Sequence, residues 1–463
     1  LRRFKVKFPG LDKYTWPPKG ATAEYASLVK QAANFEKSVR ATCDRTITDA
    51  DLQLDLYPRS KQPRSMSEAN LQRCRDLLDL EGDVYEKELE KLILDMEVNH
   101  VLDQEVVQTA GPGSPLFSLA AQNSILIKEN RALLCRMIIE RIALLLRCDN
   151  AEEMSPLDLI KHGLMDPVKV FVKNEPHLKT KVSEQRFRLI CSVSIVSNTI
   201  ARMMYSVQNN MEIAQWDNGK IPSMSGFGAS KDSHVAYLGA LWSIQGKLAQ
   251  TDMSGWDWSV QEWQLQADAY RRIALCNASP WFAKLIWVEH AVMARKVFLL
   301  SDGRLFAQKH PGLMASGWYL TTSTNSFIRA MMCRRVGAGF YRVMGDDSVE
   351  EFVEGAPQKY LEYGHRVKQY VECVNSVEFC SREWVEHNSR LVTWERALYR
   401  LLSDGPSEER LMQFVMDLRD NEELPSILES LRSEGWGGQP VVENAATKSN
   451  SCASGQEGDN YGH

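Results

Sequence analysis

The stretch YRVMGDDSVEEFV, Tyr341–Val353, decides how this chain is read. Two β-like runs flank a glycine, and two neighbouring aspartates, Asp346 and Asp347, follow it at the tip of a predicted hairpin. Like charges about 4 Å apart repel by roughly 4 kcal/mol at an effective dielectric of 20. Gly and Asp are also the favoured residues of exposed turns, so the tripeptide alone decides nothing. A second acidic segment, TDMSGWDWSV (251–260), lies upstream. There Asp252 ends a β-like run, and Asp257 falls in the turn or first helical turn before SVQEWQLQADAYRRIAL continues as a helix. Divalent cations such as Mg²⁺ need several oxygen ligands converging on one point. Asp346 and Asp347 supply one edge of such a site and Asp252 the other, with cations rather than protons removing the repulsion.

Between the two acidic segments runs MASGWYLTTSTNSFIRAMMCRRVG (314–337). Ser316 and Gly317 form a loop, and a helix follows with Thr324, Phe327, Ile328, Met331 and Met332 at core spacing. Thr321 and Asn325 are four apart and share a different face, from which they can serve a sugar hydroxyl together with Asp257. Taken alone, Thr321 is equally an ordinary helix cap.

Three segments in this order, Asp252-x4-Asp257, then Ser316-Gly317 with Thr321 and Asn325, then Gly345-Asp346-Asp347, resemble motifs A, B and C of viral RNA-dependent RNA polymerases. The wording DMSGWDWSVQEW, TTSTNSFIRAMM and MGDDSVE is similar to sobemovirus polymerases and their polerovirus, enamovirus and barnavirus relatives. Neighbouring motifs extend the match over Lys173–Cys380. The resemblance implies a motif F over the incoming triphosphate in KNEPHLKTKVSEQRFRLI (173–190), with Lys173, Glu175, Arg186 and Arg188. Asn174 stands where the family usually has an acidic residue, and the sequence does not choose between Lys179 and Lys181 as an inward-facing cation. It implies a motif D general acid for the leaving pyrophosphate at Lys368 in GHRVKQY (364–370), with His365 and Arg366 as weaker substitutes. It implies a motif E primer grip in VEFCSREWV (377–385), with Phe379, Cys380 and Ser381 at its turn.

The same resemblance implies two Mg²⁺ (or Mn²⁺) ions held by Asp252, Asp346 and Asp347, with the Met253 carbonyl as an extra ligand and Asp347 binding less directly. Asp257, Ser316, Thr321 and Asn325 would check the ribose 2′-hydroxyl, with Gly317 beside them in the nucleotide site. The implied fold is an α+β right hand, a small antiparallel palm sheet flanked by helices and encircled by an N-terminal arm. Its parts would be fingers at 1–205 and 284–312, palm at 206–283 and 313–384, thumb at 385–438 and a disordered tail at 439–463. Implied partners are a single-stranded RNA template, the nascent strand and ribonucleoside triphosphates, then a genome-linked protein primer and other viral replication proteins. The implied setting is host cytoplasm, at membrane-associated replication complexes reached through partners. Two rival readings share the fold: a reverse transcriptase, against which Gly345 and Asn325 argue, and a non-catalytic RNA-binding scaffold, against which the intact acidic set argues.

The bulk numbers bound this reading without making it. The 463 residues are 44% hydrophobic and 25% charged, enough to bury a large core. A net charge of −5 gives no global hint of nucleic acid and leaves room for a locally basic channel. Ten scattered cysteines without Cys-x-x-Cys predict a reduced, intracellular chain, and the start at Leu1 predicts a processed or trimmed product. His365, Cys373, Cys380 and His387 fall close together, but not at the spacings of structural zinc sites. The most apolar run, MIIERIALLL (137–146), is broken by Glu140 and Arg141 and predicts a buried amphipathic helix rather than a membrane span. Elsewhere the pattern predicts an extended opening LRRFKVKFPG, a helix over ATAEYASLVKQAANFEKSV and a charged helical stretch Leu71–Val107. It also predicts strands in VKVFVKNEPH and RFRLICSVSIV, a flexible loop Pro222–Gly228, and helical texture over Arg382–Leu431 before a polar tail beyond Gly435.

Overall fold

The computed structural model describes residues 1–53, 66–215, 221–228, 232–243, 246–386 and 388–436; His387 and the expected disordered tail at 439–463 lie outside them. The strands, numbered along the chain, are β1 (Tyr14–Thr15), β2 (Val168–Val172), β3 (His177–Leu178), β4 (Leu189–Ser192), β5 (Leu248–Met253), β6 (Val297–Leu299) and β7 (Leu305–Ala307). They continue with β8 (Tyr341–Met344), β9 (Asp347–Glu351), β10 (Val367–Glu372), β11 (Val377–Phe379), β12 (Arg382–Val385) and β13 (Asn388–Leu391).

The sheet that matters most for function has the order β10-β5-β9-β8 and is antiparallel throughout. Its β8 edge is closed by the segment expected to be a flexible loop. Met224 N–H donates to Val343 O at 2.8 Å, and Val343 N–H to Pro222 O at 3.0 Å. The buried Glu212 carboxylate accepts from Ser223 Oγ at 2.6 Å and Ser225 Oγ at 3.4 Å. An open sheet edge is a row of unpaired backbone groups, and this loop satisfies part of it.

A second sheet, β4-β2-β6-β7, pairs β2 with β4 antiparallel and with β6 parallel. The helices Asn123–Arg147, Ile195–Gln215, Glu262–Cys276, Pro280–Met293 and Thr321–Val336 contribute to one large core. In the 137–146 run, Ile138, Ile139, Ile142, Leu145 and Leu146 are buried and Arg141 is paired with Asp166 at 2.8 Å, the amphipathic arrangement the sequence predicts. Among the described residues, no helix is long and apolar enough to cross a membrane. The helix Ala21–Val39 has the expected bounds. The stretch Leu71–Val107 is instead broken into Glu68–Asp76, Gly82–Asp95 and Val98–Gln104, with left-handed backbone at Glu97 (φ 54°) forcing the last break.

The N-terminus departs most from expectation. LRRFKVKFPG is not extended: Arg2–Lys7 is an α-helix and Pro9–Lys13 a 3₁₀ turn. Tertiary packing decides this. Phe4 and Leu11 are buried against Leu398, Leu401, Phe414 and Ile427 of the C-terminal helices Trp394–Asp404, Glu408–Asp417 and Leu424–Ser433, and Phe8 meets Trp394 edge-on at 6.0 Å. The chain then pairs β1 with β3, Tyr14 opposite Leu178. One short segment therefore joins the C-terminal helices to the loop between β2 and β4. Leu11→Ala is expected to cost about 2–5 kcal/mol in urea unfolding. It should also expose the C-terminal helices to limited proteolysis before the core is cut.

Candidate active site

Met344 pairs with Asp347, so Gly345 and Asp346 form a two-residue hairpin loop. Gly345 has φ 59° with open space where a Cβ would go, so its need is conformational, not steric. A positive φ at the first central position is what glycine supplies in such loops. On the neighbouring strand, Thr251 lies opposite Ser348, and one further step of that register sets Asp252 opposite Asp347. Two adjacent strands thus bring all three acidic side chains to one end of the sheet.

Arg329, from the helix Thr321–Val336, holds that end together. It is fully buried. Its Nε–H donates to the Asp346 carbonyl at 3.0 Å, and Nη2–H to Thr251 Oγ1 and Ser348 Oγ, both at 2.7 Å. Nη1–H reaches Tyr360 OH at 2.8 Å, and Glu350 balances the charge at 3.2 Å. Strand β5, the β8–β9 hairpin and the helix carrying Tyr360 meet on one guanidinium. The sequence reading passed over it, although 321, 325 and 329 are spaced by four and the stripe that flagged Thr321 and Asn325 continues through Arg329.

The carboxylates have different surroundings. Burial pushes the Asp347 carboxyl up to about 7, against the Cys380 N–H that donates to it at 2.6 Å, and Asp346 adds to the rise. Asp346, at the tip, is also raised, by crowding first and then by the Asp252 charge. Cys380 and Ser381 both have positive φ (55° and 58°) in the two-residue turn between β11 and β12. Non-glycine residues held there cost of order 1–3 kcal/mol each. What the turn secures is the Cys380 N–H aimed at Asp347. Phe379, just before it, is buried in the core behind. Cys380, Cys373 and His365 do not converge on zinc: Cys373 Sγ faces Gln250, and His365 is buried with Ser259 and Gln264. His365 is held neutral by burial, which pushes it down to about 3, so it is no substitute for Lys368.

Lys368 sits where the β10–β5 register shifts between Val367 and Gln369, an irregularity that re-aims a side chain. Its Nζ–H donates to Asp252 Oδ2 at 2.9 Å. The expected general acid and the expected metal ligand are thus paired with each other.

Asp257 lies in the 3₁₀ turn Trp256–Trp258, and its Oδ1 accepts from Asn325 Nδ2 at 2.9 Å. Asn325 Oδ1 accepts from Trp256 Nε1 at 3.0 Å, which fixes the amide's orientation. Trp256 in turn stacks on His365 at 4.3 Å. Burial pushes the Asp257 carboxyl up to about 6, with the Asn325 bond opposing and Asp346 adding. Ser316 and Gly317 are pinned to β4: Ser316 Oγ accepts from Cys191 N–H at 3.0 Å, and Gly317 N–H donates to Cys191 O at 3.0 Å. A Cβ on Gly317 would stand 2.4 Å from that oxygen, so only glycine fits. Thr321 is turned elsewhere, its hydroxyl donating to the carbonyls of Ala315 (2.6 Å) and Trp318 (2.7 Å); it is not the helix cap either, since Leu320 holds that position without a side-chain bond.

The basic segment lies over this acidic end. Glu175 takes Arg188 at 2.6 Å and Lys173 at 3.2 Å; burial alone would raise its carboxyl, and these two cations more than reverse that. The charge of Arg188 reaches both Asp257 and Asp346. Arg186 is turned outward to Glu184. Of the two undecided lysines, Lys181 is the half-buried one: burial lowers its pKa, the charges of Lys368, Arg188 and Arg186 lower it further, and Asp252 opposes them.

A family model described as viral RNA-directed RNA polymerase matches residues 7–397. The chain belongs to that family. It is 37% identical over 449 residues to the replicase polyprotein P2AB of Cocksfoot mottle virus, covering 94% of this chain and 45% of that protein. It is 32% identical over 339 residues to the RNA-directed RNA polymerase of Mushroom bacilliform virus, covering 69% and 80%. Protein P1-P2 of Potato leafroll virus is 30% identical over 413 residues, covering 84% and 36%. The chain thus spans less than half the length of the sobemovirus and polerovirus relatives it matches.

Polymerases of this family work with divalent cations, and the donor set here fits them: three carboxylates, hard oxygen ligands, of which Asp346 and Asp347 are pushed up by burial. Among the described residues, however, no three His, Cys, Asp or Glu side chains stand close enough to form a finished cage. Asp252, Met253, Asp346 and Asp347 of the expected set lie at one end of the sheet without forming such a cage, and Lys368 pairs with Asp252.

Two measurements check this construction. Arg329→Met should lower stability by about 3–5 kcal/mol, since it strands Glu350 without its counter-charge. Adding Glu350→Gln should recover part of that loss, and no recovery would count against the ion pair. For pH, the folded state holds protons on Asp257 and Asp347 that the unfolded chain has released above about pH 4. Stability in chelator should therefore fall as pH rises from about 4 through 6 for Asp257 and on to 7 for Asp347. Asp257→Asn should flatten the lower part of that slope in denaturant titrations at pH 5, 6 and 7.

Proposed function

We propose that the chain carries out template-directed RNA synthesis from ribonucleoside triphosphates, replicating the genome of a positive-strand RNA virus. The observation that carries this reading is the acidic end of the central sheet, on which the charges of Arg188 and Lys181 act and beside which Asn325 pairs with Asp257. The names of two relatives, replicase polyprotein and RNA-directed RNA polymerase, support it.

In this reading the central sheet is the palm. The segments around β2–β4 and β6–β7 are the fingers, the three C-terminal helices the thumb, and the N-terminal segment the arm joining thumb to fingers. Asp252, Asp346 and Asp347, with the Met253 carbonyl, would hold two Mg²⁺ or Mn²⁺ ions. Bound there, such ions neutralise charge on the attacking 3′-hydroxyl and the leaving pyrophosphate. The chain's own residues do the rest. Lys173, Arg188 and Lys181 attract and orient the triphosphate, with Glu175 fixing the first two and Arg186 adding charge at the rim. Asp257 and Asn325 face the ribose 2′-hydroxyl, with Ser316, Gly317 and Thr321 shaping the loop beside them. A site built to bond a hydroxyl rejects the analogue without it, because its own polar groups are left unpaired. Lys368, released from Asp252 as substrate arrives, donates a proton to pyrophosphate, an effect worth about 10²–10⁴ in rate. The Phe379–Ser381 turn steadies the primer strand. Base identity comes from template pairing, so the protein needs only shape and phosphate contacts. Its partners are the single-stranded template and nascent strand, with a genome-linked protein primer and other viral proteins recruiting it to membrane-associated complexes in host cytoplasm.

The decisive test is extension of a primed RNA template by one nucleotide. Asp346→Asn with Asp347→Asn should abolish extension while RNA binding persists; surviving synthesis would reject the reading. Asn325→Ala should narrow the preference for ribo- over deoxyribonucleotides by at least about tenfold. Wild-type protein that prefers deoxyribonucleotides would favour a reverse transcriptase, and binding without extension would favour a scaffold.

A further inference from the structure

Lys296 precedes β6 and is 1% exposed. Its ammonium faces carbonyls rather than a carboxylate: it donates to the oxygens of Met293, Gly312 (2.9 Å) and Leu313 (2.7 Å). Three donors meet three acceptors, so the group is fully satisfied. Burial still pushes its pKa down to about 7, a sign of what the charge costs there. An apolar side chain of similar length would fill the space without that cost. What only the ammonium supplies is a grip on three backbone oxygens.

The backbone it grips is strained. Gly312 has φ 129° and Leu313, a non-glycine residue, φ 68°. A Cβ on Gly312 would lie 2.8 Å from Val260 O and 2.9 Å from Phe35 Cζ, so the chain passes hard against its neighbours. Gln308 reinforces the hold: its Nε2–H donates to Gly312 O at 3.1 Å while its Oε1 accepts the Lys296 N–H at 2.8 Å. From this turn the chain is stitched to the Asp257 segment, Leu313 N–H to Val260 O at 2.8 Å and Met314 N–H to Asp257 O at 3.0 Å. It then runs directly into Ala315, Ser316 and Gly317, the loop fixed against β4.

We propose that Lys296 is a positioning residue for sugar selection: by holding the Gly312–Leu313 turn it sets the Asp257 segment and the Ser316–Gly317 loop, two walls of one pocket, at a fixed separation. The inference rests on the polymerase reading above and adds to it a residue that touches no substrate. Lys296 acts through the carbonyls of 312 and 313, and its effect appears in which sugar is accepted.

The test is single-nucleotide addition by the full chain carrying Lys296→Met, with ribo- and deoxyribonucleoside triphosphates compared on one template. The ribonucleotide preference should fall at least about tenfold, mainly through a raised KM for the ribonucleotide and less through kcat. Adding Lys296→Met to Asn325→Ala should lower the preference no further, since both act on one pocket. A folded Lys296→Met protein that melts earlier yet keeps the wild-type preference overturns the proposal. If that variant does not accumulate, Lys296→Gln replaces it under the same criterion. Failure of both to fold also overturns the proposal, because the residue would then hold the core and not the pocket. Wild-type protein that extends no RNA removes the polymerase reading and this inference with it. Wild-type that extends and discriminates, matched by Lys296→Met, removes this inference alone.

Discussion

The candidate site depends on one buried guanidinium. Arg329 gives its hydrogen bonds to a carbonyl at the hairpin tip, to a hydroxyl on each of two paired strands and to a tyrosine behind them, with a buried glutamate as counter-ion. A lysine cannot reproduce this, because a point charge lacks the planar fork that reaches several directions at once. Burying such a charge is costly unless every donor is used. Here that cost fixes the relative height of two strands whose ends carry the acidic side chains. An apolar residue in its place would fill the space but leave Glu350 without its counter-charge and the two strands without a shared donor.

Above that fixed base the charges are left incompletely balanced. Asp346 and Asp347 are crowded, and both carboxyls sit above their usual range. Asp252 has Lys368 at hand, and Asp347 has a backbone N–H aimed by a strained turn. The charges of Lys181 and Arg188 act on these carboxylates from the segment between β2 and β4. Acids and bases thus meet at one end of the sheet.

Much of this was legible in the sequence, for physical reasons that vary by element. The hairpin over Tyr341–Val353 and the helices Ala21–Val39 and Thr321–Val336 declare themselves through local periodicity and turn chemistry, and the structure keeps them. The pairing of Asp257 with Asn325 follows from helix spacing once the two segments are known to meet. Other features were hidden because their causes are remote in sequence. Residues 2–13 are helical only because Phe4 and Leu11 find the C-terminal helices. Pro222–Gly228 looks like a free loop until β8 and Glu212 claim it, and β13 exists because β12 offers an edge. Lys181 is distinguished from Lys179 by burial, which no local pattern reports. Arg329 lies one turn beyond Asn325 on the same stripe, a spacing the sequence does display.

The N-terminal segment has a consequence for how the chain is made. Leu11 and Tyr14 bury themselves against residues between 398 and 431, and Tyr14 also lies opposite Leu178. The packing partners of Leu11 and Tyr14 in these helices are therefore synthesised long after them. Contacts of such long sequence separation form late, because loop closure has to be met before they give anything back. The core around the central sheet can condense first, with the segment around Leu11 and Tyr14 fastening onto the three C-terminal helices once these have formed.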